Sequence, residues 1–414
     1  MDATASQHPD RAIGGLNWSY VLMGVADATL LPFLPLYLFQ RGLSAPQIGL
    51  VLAVAASASL VGGLGWAYLA DHTFRPERIV VGASAAAAAV TLLFVLPASV
   101  AILAAVTVAL AIARTPFMLL DPIALQSLKA ARRTAYARIR LRMSAGWAVS
   151  AVLSGAVFQA AGLRLLPFFY APLVATFGLW ARHALKPVAV TPRAHLDPAS
   201  SGVPRLRRLP IALIGFLVSC LLLGVSSAAA LNFVTLRING LGGGALLIGA
   251  AAAFQALTEI PTMAYTHVLT KRLTHRVLYA IGCVIYLVVF LGWAFVSDAF
   301  AVALMRLVVG IGFALTYVGA VVIADELSPP HLRATGQALV KAAMFGLAPV
   351  IGTLGGGLIY GAFGSRAMFL ATTIGAGVAA LVALIALPAP NPRGRLRGQV
   401  GDGVLATESA PAAP

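Results

Sequence analysis

Residues 15–39 read GLNWSYVLMGVADATLLPFLPLYLF and contain one ionisable side chain, Asp27. An apolar helix of about 20 residues is long enough to cross the hydrocarbon core of a bilayer. A charged side chain at that depth costs roughly 2.5–3.5 kcal/mol even on lenient insertion scales. A chain that keeps Asp27 in such a segment is therefore expected to use it.

The composition of the whole chain is that of an integral membrane protein. Of 414 residues, 60% are hydrophobic and 10% are charged, and the mean hydropathy is +0.91. In a soluble domain about a quarter of the residues are charged. We predict an all-α fold of twelve transmembrane helices in two pseudo-symmetric bundles of six. The predicted spans, numbered 1 to 12, are 15–39, 46–70, 79–97, 99–127, 138–161, 165–185, 209–235, 245–270, 276–296, 299–325, 334–361 and 365–387.

The basic residues predict the orientation of these spans. They cluster in alternate loops, whereas the other loops hold only Arg41, Arg164, Arg237 and Arg366. By the positive-inside rule the basic loops and both termini are cytoplasmic, in a bacterial-type inner membrane. The net charge of +16 is then matched by anionic membrane lipid, and nucleic acid is not an expected partner.

A long hydrophilic stretch divides the chain near its middle. Residues 186–208 read KPVAVTPRAHLDPASSGVPRLRR, a composition typical of a flexible linker. It separates predicted six-helix bundles at 15–185 and 209–387. The remaining parts are a short cytoplasmic segment at 1–14 and a Pro-, Gly- and Ala-rich tail at 388–414 that we predict to be disordered.

Further ionisable residues lie inside the apolar spans: Arg114, Asp121, Glu259, Arg306 and Lys341. Such residues usually face a bundle interior or an aqueous path. Asp27 either binds a transported proton or pairs with Arg114 across spans 1 and 4. Glu259 lies just before Pro261, whose kink favours a midplane site; its alternative is an ion pair with Arg306 or Lys341. Lys341 can also extend toward the inner surface.

No cofactor, metal site or enzymatic activity is predicted. Cys220 and Cys283 lie in apolar runs without metal-ligand spacing. No phosphate-binding loop, nucleophile elbow or zinc-peptidase motif occurs.

The loop after span 2 reads GWAYLADHTFR over 65–75. It resembles the G-x-L-A-D-R-x-G-R pattern of the major facilitator superfamily at Gly65, Asp71 and Arg75, and a weaker echo follows span 8. The resemblance implies twelve helices and a cytoplasmic gate at these three residues. Asp325 and Glu326, at the cytoplasmic end of span 10, are expected to form a gate ion pair.

A narrower resemblance lies in residues 138–148, RIRLRMSAGWA. This segment is similar to span 5 of the lactose permease and related proton symporters for oligosaccharides, nucleosides and phenylpropionate. The resemblance implies that Arg140 and Trp147 contact substrate, with Asp121 as the partner acid, and that Glu259 is the acidic site of span 8. Residues 306–313 lack the His and Glu with which that permease couples protons, so Asp27 or Glu259 must carry the proton.

We therefore predict a monomeric secondary active transporter that takes up a small polar or anionic organic solute with a proton by alternating access. Its expected substrate ligands are Arg114, Asp121, Arg140, Trp147 and Arg306. A proton-driven exporter of the same fold is the alternative. A membrane-embedded enzyme or receptor is disfavoured, because the seven histidines do not cluster.

Overall fold

The computed structural model describes residues 8–96, 99–121, 123–124, 136–185, 209–270, 272–329 and 332–386. Within these ranges the side chains of 8–13, 71, 136–140, 267 and 334 are outside the description. The regular secondary structure of the described residues is helical throughout. The predicted linker and tail lie outside the described residues.

The helices of the first half are α1 His8–Leu30 and α2 Leu34–Gln40 (span 1), α3 Ala45–His72 (span 2), α4 Pro76–Leu92 (span 3), α5 Val100–Arg114 with a 3₁₀ turn at Thr115–Leu119 (span 4), α6 Tyr136–Ala161 (span 5) and α7 Leu166–Ala184 (span 6). Those of the second half are α8 Ile211–Gly240 (span 7), α9 Ala245–Leu269 (span 8), α10 His275–Phe295 (span 9), α11 Ala299–Leu304 and α12 Arg306–Leu327 (span 10), α13 Arg333–Lys341 with a π-helical segment at Ala342–Leu347 (span 11), and α14 Ala348–Ala386.

Helix α14 contains the end of span 11 and all of span 12. Eleven helical segments of the described chain are long and apolar enough to cross a membrane, and the last of them runs over 52 residues from Thr335 to Ala386. At a rise of about 1.5 Å per residue it would be more than twice as long as the bilayer core is thick. Gly364 divides it, with a non-helical φ of 82° and ψ of 174°. The predicted twelve-helix fold is thereby confirmed.

The two halves repeat the same turns. Gly42 and Gly242, after the first helix of each half, have φ of 94° and 87°. Gly162 and Gly364, after the fifth helix of each half, have φ of 91° and 82°. Residues with a Cβ rarely adopt a positive φ, so glycine is needed at these turns. We call the end of the molecule that carries these four turns the outer end, after the predicted orientation.

An arginine binds main-chain carbonyls at the outer end of each half. Arg41 donates to the carbonyls of Phe94 and Leu96 at 2.6 and 2.7 Å. Arg237 donates to the carbonyl of Val296 at 3.0 Å. Two of the four arginines in the predicted outer loops therefore satisfy the last carbonyls of a neighbouring helix.

The halves meet through spans 2 and 11 and through spans 5 and 8. A Cβ added to Gly49 would lie 2.8 Å from Cα of Gly357, and one added to Gly155 would lie 2.8 Å from the carbonyl oxygen of Ala245. Only small residues permit this backbone approach between membrane helices. All of these contacts lie toward the outer end, and Gly65, near the other end of span 2, would meet nothing within 4 Å.

The same spans separate toward the inner end. In α3 the buried residues lie between 45 and 55, and none of the described side chains from 56 to 72 is buried. In α9 the described side chains from 257 to 269 include one that is buried, Thr266. Packing therefore joins the halves at the end that carries the four glycine turns and leaves them apart at the other end, which with the predicted orientation is an inward-facing arrangement.

Candidate functional site

An ion pair joins span 1 to span 4 in the first half. Nη2 of Arg114 donates to Oδ1 of Asp27 at 2.6 Å. Asp27 is 7% exposed, and the buried hydroxyl of Tyr170 on α7 lies close to both charges. The structure thus brings together a predicted proton carrier and a predicted substrate ligand, in the pairing that was the alternative for Asp27.

Asp121 is held by the same face of α1. The hydroxyl of Tyr20 donates to Oδ1 of Asp121 at 2.6 Å, and Tyr20 is fully buried. Tyr20 and Asp27 are about two turns apart on α1, as Arg114 and Asp121 are along span 4. The two contacts therefore lie side by side between antiparallel spans, and Asp121 belongs to a buried polar layer within the first half.

Close packing of spans 1 and 5 fixes the position of Trp147. A Cβ on Gly24 would lie 2.2 Å from the carbonyl oxygen of Met143, and one on Gly146 would lie 2.6 Å from that of Val21. Trp147 follows Gly146 directly, on the side of span 5 that meets the second half. Its indole packs on alanines from spans 1, 5 and 8: Ala28, Ala151 and Ala252.

Arg306 begins α12, at the junction of α11 and α12 in span 10. Its Nη2 donates to Oε1 of Gln255 on α9 at 2.6 Å. Gly310, one turn further along α12, permits this contact, because a Cβ there would lie 2.2 Å from the carbonyl oxygen of Gln255. Arg306 is 9% exposed, and its Nε has no hydrogen-bond partner among the described residues.

Arg306 also has no ion pair with a carboxylate in the described part of the chain. Its environment differs in this respect from that of Arg114, which has Asp27 at 2.6 Å. The second half therefore holds a buried guanidinium that forms no salt bridge with a described carboxylate, although Glu259 lies near the same tyrosine, Tyr286, as Arg306 does.

A cavity of about 150 Å³ lies between the two halves and reaches Arg306. Both halves contribute to its wall. The residues around it are Leu31, Pro32, Pro35, Trp147, Leu231, Asn232, Thr235, Ala252 and Arg306. Two of the predicted substrate ligands, Trp147 and Arg306, thus share one cavity with spans 1, 7 and 8.

The other predicted site residues of the membrane interior lie apart from this cavity wall. Glu259 is half-buried, one turn after Gln255 on α9, and lies near the buried Tyr286. Of its two predicted ion-pair partners, Arg306 binds Gln255 and Lys341 is exposed. The backbone of Arg140 belongs to α6, but its side chain lies outside the described residues.

The predicted gate residues form contacts within the second half. Glu326 accepts a hydrogen bond from His275 at 3.0 Å, and Asp325 lies 3.7 Å from Arg333. Gln337 also donates to Asp325, at 3.4 Å. These contacts hold the inner ends of spans 9, 10 and 11 together. In the first half Gly65 and Arg75 are exposed, and the side chain of Asp71 lies outside the described residues.

Sequence reasoning missed three polar residues of the interior: Gln255, Asn232 and Tyr170. The charge-based search excluded Gln255 and Asn232, which are neutral. Gln255 is one turn before Glu259 on α9, so helical spacing places it on the same face of the helix as this predicted site residue. Nothing in the sequence indicates that Tyr170 approaches Arg114, because that depends on how spans 4 and 6 pack.

Among the described residues, no group of His, Cys, Asp and Glu side chains is arranged to hold a metal ion. Cys220 and Cys283 are both buried free thiols.

Comparison with known proteins agrees with this architecture. The sequence profile of the MFS_1 like family matches residues 15–371. The maltose permease of Geobacillus stearothermophilus is 26% identical over 368 residues, covering 88% of this chain and 92% of the permease.

Solved structures of the nucleoside transporter NupG share the fold. One superposes with a TM-score of 0.75 at 15% identity, covering 91% of this chain and 98% of NupG. A variant of NupG with one aspartate replaced by alanine gives a TM-score of 0.79 at 15% identity, covering 91% and 100% of the two chains. At this identity the likeness shows the fold alone.

Two helical halves around a central polar cavity define a multi-pass membrane transporter, not an enzyme. The chain belongs to the MFS_1 like family of the major facilitator superfamily.

Proposed function

We propose that this transporter takes up a small polar or anionic organic solute together with a proton, by alternating access. The observation that carries the proposal is the cavity between the halves, which holds the aromatic side chain of Trp147 and the buried charge of Arg306. Contact at the outer end and separation at the inner end are what one state of such a cycle requires. Rocking the halves would expose the same cavity to the other side.

Proton coupling is assigned to Asp27 and Glu259. Asp27 is engaged by Arg114 in the inward-facing state, so proton binding at Asp27 requires this ion pair to open during the cycle. Glu259 lies on α9, the helix that also positions Arg306 through Gln255. Proton binding at Glu259 would therefore be coupled, through α9, to solute binding at Arg306.

The proposal places the chain as a monomer in a cytoplasmic membrane, with both termini in the cytoplasm and anionic lipid around its basic loops. The inner gate is assigned to Gly65, Asp71 and Arg75 of the first half and to Asp325 and Glu326 of the second. The open space at Gly65 is where the halves approach each other when the inner end closes.

Uptake into proteoliposomes under an imposed proton gradient tests this function. The solutes are small sugars, sugar acids and hydroxy acids, each labelled and offered singly. We expect at least one to accumulate only when the outside is acidic, and we expect Asp27→Asn or Glu259→Gln to abolish accumulation while exchange of the same solute continues. If solute flux through the unaltered protein does not depend on pH or on the proton gradient, transport is not coupled to protons.

The exporter alternative has less support from the cavity. A drug-sized site usually measures about 300–1,000 Å³ and is mostly apolar. The cavity here measures about 150 Å³ and includes an arginine, an asparagine and a threonine.

A further inference from the structure

Arg306 is buried without a salt bridge in the described chain, and this points to the class of the transported solute. Resting on the proposed function, we propose that Arg306 binds the carboxylate of a small hydroxylated organic acid, and that this acid is the transported solute.

Arg306 carries a positive charge that needs a counter-charge in the membrane interior. A guanidinium cannot lose its proton under ordinary conditions, and a charge at membrane depth is costly unless it is paired or reaches water. The same protein pairs its other described interior arginine, Arg114, with a carboxylate. Arg306 receives only the neutral amide oxygen of Gln255. An anionic ligand in the cavity supplies the missing counter-charge.

The N–H donors of the Arg306 guanidinium are arranged to bind an anion. Gln255 occupies one hydrogen-bonding position on Nη2 and thereby fixes the plane of the guanidinium. The Nε–H group is buried and has no described partner. Because Nε is closed off from the cavity, the donors open to a ligand are those of Nη1 and the second hydrogen of Nη2. These lie in one plane and match the two oxygens of a carboxylate, and such bidentate pairs are among the strongest hydrogen-bonded contacts in proteins.

The rest of the wall indicates the body of the solute. Asn232 uses its amide NH₂ to donate to the carbonyl of Ala228 at 2.8 Å, so its Oδ1 is the atom left to accept a hydrogen bond from a hydroxyl. Trp147 lines the same space, and an aromatic side chain packs well on a ring. With about 150 Å³ available, a solute of single-ring size or smaller fits.

Thermal unfolding of the purified protein in lipid nanodiscs tests the assignment at constant ionic strength. The probes are two matched pairs, glucuronate with glucose and lactate with 1,2-propanediol, together with sodium chloride. We expect at least one carboxylate to raise the midpoint while its neutral partner does not. Equal effects of acid and neutral partner, no effect of either acid, or an effect of chloride alone would each overturn the proposal.

Three variants locate the site. Arg306→Gln is expected to weaken carboxylate binding about 10- to 100-fold, as loss of a charged hydrogen-bond donor does. Gln255→Glu places a carboxylate against Arg306, so it should raise the midpoint without ligand and abolish the effect of the acid. This second variant keeps the test decisive if the first does not fold. Arg366→Gln, which removes an arginine stacked 4.3 Å from the ring centroid of Phe295, should leave acid binding unchanged.

Counterflow in proteoliposomes separates this inference from the proposed function. If the unaltered protein and Arg306→Gln transport glucose at equal rates, the protein is a transporter but Arg306 does not recognise the carboxylate of its solute. If an acid binds in an Arg306-dependent way but is not transported, the anion-binding site is supported and the transport function is refuted.

Discussion

Replacing Asp27 by Asn leaves the charge of Arg114 without its partner in the membrane interior. Breaking a buried ion pair by removing one side typically costs about 3–5 kcal/mol, because the other charge remains buried and uncompensated. We expect the lower end of this range, since 17% of the Arg114 side chain is still accessible. Replacing both residues, as in Asp27→Asn with Arg114→Gln, removes the stranded charge and should return stability to within about 1–2 kcal/mol of the unaltered protein.

A double-mutant cycle measures this difference. Unfolding of the four proteins is followed by tryptophan fluorescence during denaturant titration in one lipid–detergent mixture. Thr107→Val is the matched control, because this buried hydroxyl lies on the same helix as Arg114 but donates to the carbonyl of Leu103 within that helix, and its loss should cost about 1 kcal/mol. The pairing would be refuted if each single substitution lowered the free energy of unfolding no more than the control does. It would also be refuted if the double variant were no more stable than Asp27→Asn alone.

Three further predictions concern packing and the cavity wall. Gly249→Val adds atoms where even a Cβ would lie 2.1 Å from a carbonyl oxygen of span 5, so it should keep the outer end open and increase labelling of cysteines placed there. Gly82→Val, at a glycine of span 3 with nothing within 4 Å, should leave this labelling unchanged. Arg41→Gln should lower the free energy of unfolding by about 1–3 kcal/mol because the partly buried contact with the Phe94 carbonyl loses a charged donor. Arg237→Gln should act similarly at the carbonyl of Val296, with transport per folded molecule unchanged in both. Trp147→Phe should preserve the affinity for a ring-bearing solute measured by competition uptake, whereas Trp147→Leu should reduce it several-fold.

Each of these has a definite contrary outcome. Unchanged labelling in Gly249→Val would mean that the outer contact is not sterically limited. Loss of transport activity in folded Arg41→Gln would assign that arginine to the transport cycle instead of to helix capping. Equal solute affinity in Trp147→Phe and Trp147→Leu would place the indole outside the binding site.

The number and length of the spans could be predicted because the bilayer imposes them. Apolar runs of spanning length and the alternation of basic loops both follow from physics that acts on the sequence directly. The break of span 1 between α1 and α2, around Pro32, was not predicted, although proline makes such a break understandable. At the junction of α11 and α12, Met305 keeps helical φ and ψ of −58° and −17°, so span 10 continues through it as the sequence predicts.

The interior charges could be found from the sequence, but their partners could not. Asp27 and Arg306 are buried and Arg114 is partly buried, as expected for ionisable residues in apolar spans. Lys341 had the same signal and is exposed. Which charge meets which depends on the rotation of each helix about its axis, and the 3₁₀ turn after Arg114 alters that rotation. The neutral partner Gln255 carries no charge that would draw attention to it.

Distances between spin labels at the two ends of the interface test most directly whether the halves rock about the cavity. One pair, at Gln47 and Ala362, reports the outer end, next to the contact of Gly361 with Pro46; a second pair, at Tyr68 and Lys341, reports the inner end of spans 2 and 11. We predict that a solute that binds the cavity, or a change of pH across the membrane, lengthens the outer distance while it shortens the inner one. A single, invariant distance at both ends, or changes of the same sign, would contradict alternating access in this protein.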